Sequence, residues 1–169
     1  MLATSIEGNE VYNCEVGVYH DTWSTTSLLI KSNLFRNVNT GIQQNIPGKY
    51  NVGELTISNN TFELGRHLHP DGHHAPKGVL LDGNCNNTDT FQNVYINSNV
   101  IKNADALYDP VTDPMYGSFG VFFNSCNNIK ISDNTIELNS PKLIMYTNSN
   151  IVDCVNNTNS SGVITPIKY

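Results

Sequence analysis

Four histidines fall within eight residues, at His67, His69, His73 and His74, with Arg66, Asp71 and Lys77 beside them. Imidazole titrates near neutrality and binds divalent metals, and a neighbouring carboxylate tunes both properties, so the run reads as an acid–base or metal site. A second polar stretch, residues 104–117, holds Asp105, Asp109 and Asp113 together with Tyr108 and Tyr116. Carboxylates at this density suit Ca²⁺ or general acid and base work, and a tyrosine ring offers a face to a sugar. On this reading His73, His74, Asp109, Asp113 and Asp82 are catalytic, and His69 and Asp105 hold a divalent cation such as Ca²⁺. Arg66, Lys77, Leu80, Tyr108, Tyr116 and Phe122 contact substrate. Neither stretch has a strong metal-ligand spacing, and solvated loops punctuated by Pro and Gly would have the same composition.

The elements that must position these groups are written in a repeat. Leu55-Thr-Ile-Ser-Asn-Asn-Thr-Phe-Glu63 has the pattern apolar, any, apolar, any, any, Asn, any, apolar. Close copies surround Asn9, Asn33, Asn99 and Asn134, and a weaker one surrounds Asn157, where Asn159 stands in place of the last apolar residue. The intervals along this Asn column are 24, 27, 39, 35 and 23 residues. Two apolar residues one apart make the inward side of a short strand, and the apolar residue beyond the Asn opens another. Asn suits the bend between them, because it tolerates a left-handed backbone and its amide can bond the same amide one layer away. Such a unit cannot bury its apolar edge alone, so the copies must stack. Ile6, Ile30, Ile57, Ile96, Ile131 and Cys154 are expected in one inward column, with Val11, Phe35, Phe62, Ile101 and Ile136 in the next.

A second column begins at Gly17, Gly41, Gly78, Gly120 and Lys142 and marks a third strand in each unit. The Asn-to-column distance is eight residues in three units, but eighteen from Asn60 to Gly78 and twenty-one from Asn99 to Gly120. The excess places the histidine run and the 104–117 stretch as insertions at one corner of adjacent layers. His69, His73 and His74 are therefore expected to face Asp105, Asp109 and Asp113 across a cleft floored by Leu80 and Phe122. Alternation sends Val18, Ile42, Val79, Val121 and Leu143 inward, and Tyr19, Gln43, Leu80, Phe122 and Ile144 outward. Asp21 and Asp82 take equivalent outward places two layers apart, roughly 10 Å, the outer limit for an inverting glycosidase pair.

The whole pattern resembles the right-handed parallel β-helix of the pectate lyase-like superfamily, whose coils carry such an Asn ladder. The resemblance runs over nearly all of the chain and implies one all-β domain, residues 1–169, of about six coils with two long inserted loops. It also implies carbohydrate as the substrate class, cleaved by a lyase with a basic residue and often Ca²⁺, or by a hydrolase with paired aspartates. The Gly-His-Gly and Arg-Ile-Lys motifs of polygalacturonases and the Arg-rich strand of pectate lyases are missing, so the reaction stays open. The alternative is a non-catalytic structural or glycan-binding segment of a phage tailspike, adhesin or other surface fibre. Members usually cover their first coil with a helix; none is visible here, which suggests a piece of a longer protein with an open first edge.

Composition agrees with a solenoid of polar turns, since Asn counts 26 of 169 residues and charged residues only 14%. A net charge of −6 argues against nucleic acid, and no apolar run reaches the length of a membrane span. The expected partner is a polysaccharide, and the chain is expected as a monomer or homotrimer at an extracellular or virion surface, although residues 1–6 show no signal peptide. The stretches before Cys85 and Cys126 align, which brings those two thiols near each other as either a disulfide or stacked buried groups.

Overall fold

The computed structural model describes residues 3–21, 27–45, 53–65, 68–69, 72–73, 76–83, 91–103 and 118–169. Among these there is no helix, and apart from one two-stranded antiparallel pair the strands lie in three sheets built mainly from parallel neighbours, an arrangement compatible with a parallel β-helix. The first sheet stacks Ala3–Glu7, Ser27–Lys31, Glu54–Ser58, Val94–Asn97, Ile129–Ser132 and Ile151–Val155 in that order. The second stacks Glu10–Tyr12, Leu34–Val38, Thr61–Leu64, Val100–Asn103, Thr135–Glu137 and Thr158–Asn159, and Gly162–Val163 closes it antiparallel. The third stacks Val16–Asp21, Thr40–Asn45, Lys77–Asp82, Phe119–Asn124, Ile144–Thr147 and Ile167–Lys168.

Register follows the repeat. Ile6, Ile30, Ile57, Ile96, Ile131 and Cys154 are successive partners in the first sheet, and Val11, Phe35, Phe62, Ile101 and Ile136 are partners in the second. From the second to the fifth layer these columns are fully buried. Stacking at the layer spacing lays the Phe35 and Phe62 rings face to face, with centroids 4.9 Å apart and planes 3° from parallel. On the outside of the second sheet, Glu63 is bridged by Arg36 at 3.4 Å and Lys102 at 3.0 Å, an exposed pairing that adds little stability.

The Asn column is a continuous hydrogen-bonded ladder with a direction. From Asn9 to Asn134, each Asn donates its backbone N–H and its Nδ2 to the Oδ1 of the next, at 2.8–3.2 Å. From Asn33 onward, Nδ2 also donates back to the carbonyl of the inward residue one layer earlier: Ile6, Ile30, Ile57, Ile96 and Ile131 in turn. Asn33 to Asn157 are 1–2% exposed, so the satisfied amides are part of the interior. The bend itself is made elsewhere than expected. At this bend the left-handed residues are those just before each ladder Asn, namely Gly8, Ser32, Asn59, Ser98, Asp133 and Asn156, with φ between 54° and 67°. The ladder Asn is therefore kept for its amide, and its short polar neighbour turns the chain.

Two further expectations are corrected. Gly17, Gly41, Gly78 and Gly120 are placed by crowding: a Cβ at each would come within 2.4–2.7 Å of the carbonyl of the residue above. In the fifth layer the residue above Gly120 is Leu143, one place later than Lys142. Ile144 then pairs with Val121 and points inward, and Met145 takes the outward place beside Phe122. Ile144 is 0% exposed, so it belongs to the core and not to the outer stripe. Leu143 is allowed where the others are Gly because the strand above pairs only with Met145 and Tyr146. Cys126 is a free, fully buried thiol, pushed far above its ordinary pKa by desolvation, whereas Cys85 lies outside the described residues.

Ile96→Asp buries an unpaired carboxylate between Ile57 and Ile131, and the expected result is loss of the cooperative melt or a fall of several kcal/mol. Asn99→Ala removes the acceptor shared by the N–H and Nδ2 of Asn60, and at about 1–3 kcal/mol for each of the two stranded donors should cost about 2–6 kcal/mol in chemical denaturation. Asn9→Ala strands no donor, since nothing among the described residues donates to its amide oxygen, and should cost about 1 kcal/mol or less.

Candidate functional site

The corner between the second and third sheets roots both insertions. Leu64 pairs with Asn103 where the two segments leave, and Lys77 pairs with Phe119 where they return. The N–H of Phe119 donates to the Pro76 carbonyl at 3.2 Å, and that of Lys77 to Asn39 at 2.8 Å. The counting argument for adjacent insertions at one corner therefore holds. Within the first insertion, Leu68–His69 and Gly72–His73 form a small antiparallel pair, His69 opposite Gly72 and His73 opposite Leu68. His74, Arg66, Asp105, Tyr108, Asp109, Asp113 and Tyr116 lie outside the described residues, as does any meeting of the two loops.

The part of the site that is defined is the outward face of the third sheet. Tyr19, Gln43, Leu80, Phe122 and Met145 follow one another in register along one row. Asp21, Asn45, Asp82, Asn124 and Thr147 form the parallel row two residues on. Leu80 and Phe122 are half-buried, and the Phe119 ring packs against Phe122 with centroids 5.6 Å apart at 51°. Phe119 was not foreseen; its position directly before Gly120, at the corner, is the signal that would have found it.

Asp82 is exposed, and its carboxylate is oriented by its neighbour. Asn124 donates Nδ2 to Asp82 Oδ1 at 2.7 Å and to the Gly83 carbonyl at 3.2 Å. Asn124 Oδ1 in turn accepts from Ser125 Oγ at 3.3 Å and Asn148 Nδ2 at 3.5 Å, so an amide chain runs up the face and ends on the carboxylate. Such an aspartate can accept hydrogen bonds from hydroxyls. The backbones of Asp21 and Asp82 take the equivalent places expected of them, with Asn45 between.

Lys77 stands at the same corner, half-buried, paired with Thr40 on one side and Phe119 on the other. Burial lowers its ammonium below the ordinary lysine range, and the Glu15 charge opposes that shift. Among the described residues, no group of three or more His, Cys, Asp or Glu side chains is arranged to hold a metal ion. The cation proposed for His69 and Asp105 involves residues whose side chains are not described. No described helix is long and apolar enough to cross a membrane, which leaves strands unaddressed.

Comparison with protein-family models, curated proteins and solved structures finds no match to the chain.

The lowered Lys77 gives a pH signature. Between its folded value and the ordinary 10.5 the unfolded chain binds more protons than the native one, so this group makes stability rise with pH across that window. Thermal melts of Lys77→Met across the alkaline range should show a flatter rise than the parent and no loss of stability at neutral pH. A parallel pair of curves would place the ammonium in water.

Proposed function

We propose that this chain is a right-handed parallel β-helix of about six coils, of the pectate lyase-like kind, which binds a polysaccharide on the outward face of its third sheet. The supporting observation is the pairing of two rows across successive layers, Leu80–Phe122–Met145 beside Asp82–Asn124–Thr147. Sugar rings need apolar contact on one face and hydrogen-bond partners at their edges, and the two rows supply both along the direction of a polymer. The two insertions would wall this surface, with His69, His73, His74, Asp105, Asp109 and Asp113 available for a cation or for acid and base chemistry. The net charge of −6 favours a neutral glycan, or a charged one bridged by a divalent cation such as Ca²⁺. An extracellular or virion-surface setting goes with that substrate class.

A second reading, a non-catalytic segment of a surface fibre, is supported by the regular stacking of short strands in three sheets of parallel neighbours. A panel of glycans separates the two when binding is read together with unsaturated ends, reducing sugar and light scattering. Turnover by a monomer supports an enzyme, and a silent trimer supports a fibre. Within the binding reading, Phe122→Ala should weaken the retained glycan about fivefold, the worth of one ring contact of about 1 kcal/mol, without shifting the melt by more than a few degrees. Unchanged affinity would remove the third-sheet face from the site.

A further inference from the structure

The third sheet sends a second row of residues inward, two places beyond the first. His20, Gln44, Leu81, Phe123 and Tyr146 are successive register partners in that row. Leu81 and Phe123 are apolar and fully buried, as an interior row requires. Gln44 is equally buried, at 0% exposure, and it carries an amide. Its inward neighbour on the same strand, Ile42, is fully buried as well, so the amide lies in the core.

The interior is otherwise strict about amides. Asn33, Asn60, Asn99 and Asn134 each accept at Oδ1 and donate from Nδ2 along the ladder. Gln44 is the one amide among the described residues whose oxygen and nitrogen are both buried without a hydrogen-bond partner. Desolvating an amide without replacing its hydrogen bonds is costly, and native interiors meet the need with protein groups or ordered water.

The amide defines its missing partner. Oε1 needs a donor and Nε2 an acceptor, so the partner must do both. A cation would use the oxygen and repel the N–H groups, and an anion would do the reverse. Water is neutral, donates and accepts, and is the smallest molecule that does so. His20, one layer earlier in the same row, brings an imidazole whose Nδ1 is buried. An imidazole nitrogen donates or accepts according to its tautomer, and buried waters are held by about two to four polar contacts.

We propose that the core holds ordered water at the Gln44 amide, donating to Oε1 and accepting from Nε2, with His20 Nδ1 the neighbouring group placed to share it. The water ties the second layer to the first at an inward position, as the Asn ladder does at the corner. It is independent of any glycan on the outward face.

Water-oxygen magnetic relaxation dispersion of the 169-residue protein counts internal waters that outlive molecular tumbling. The amplitude should fall by about one water in Gln44→Leu, which repeats in the second layer the residue that Leu81 already is in the third. The melt of that variant should stay within about 5 °C of the parent, because a satisfied amide and its water are exchanged for an apolar contact. An unchanged amplitude overturns the proposal. So does a melting temperature raised beyond that margin, the mark of an amide that was dry and unpartnered. Where Leu disturbs the packing, a crystal structure of the parent decides. Density at about 2.7–3.2 Å from Gln44 Oε1 and Nε2 supports the water, and an amide bonded to protein groups alone, or to nothing, overturns it.

Discussion

The structure depends on one chemical fact about asparagine: its amide has two N–H donors and an oxygen that accepts two bonds, and in the middle layers all of these are used across three layers. Asn60, for example, accepts from Asn33, donates onward to Asn99 and donates back to Ile30. A residue tied to the layers on both sides cannot slip by one position without stranding buried donors, each costing about 1–3 kcal/mol. Hydrophobic burial supplies most of the driving force and opposes a one-residue slip, which would turn the inward residues out, but it is less sensitive to a two-residue slip that keeps the same face inward. The ladder converts a stack that could slide into one with a single register.

Everything outside the core inherits that register. The row Leu80, Phe122, Met145 and the row Asp82, Asn124, Thr147 are aligned because the strands beneath them are aligned. The glycine column contributes in a different way. With a carbonyl of the next layer 2.4–2.7 Å from where each Cβ would sit, those positions let successive strands of the third sheet come close at the corner where the insertions root. Hydrogen bonds thus fix position along the strands, and the absence of side chains allows the approach between them.

How much of this was legible in the sequence depended on whether a feature repeats. Strand columns, the Asn ladder and the common corner of the insertions could be counted, since period two and fixed spacing leave little freedom. The left-handed residue was misplaced because Asn is the better αL former in isolation, yet Ser32 and Ser98 take that place when the Asn amide is needed for the ladder. The fifth-layer register was off by one because Leu143 looked like an inward residue, and only the crowding over Gly120 shows that it replaces a glycine. Gln44 breaks the apolar rule in a way no pattern signals: it is fully buried in line with His20 and Leu81, and neither amide atom has a partner among the described residues. The inserted loops have no period, so their chemistry could be named by residue type and not by geometry.

The outward row of the third sheet is itself graded, and the grading bears on where function sits. It begins with Tyr19, 54% exposed, and Gln43, and only from the third layer does it become Leu80, Phe122 and Met145, the last 6% exposed. A solvent face under no other constraint has no reason to turn apolar partway along. The change begins in the layer that carries the first insertion and continues in the layer that carries the second. Both layers that depart from the minimal repeat in length are apolar in this row, and the fifth layer, which has no insertion, continues it with Met145. The two departures are independent in sequence, and they coincide in space at the third and fourth layers.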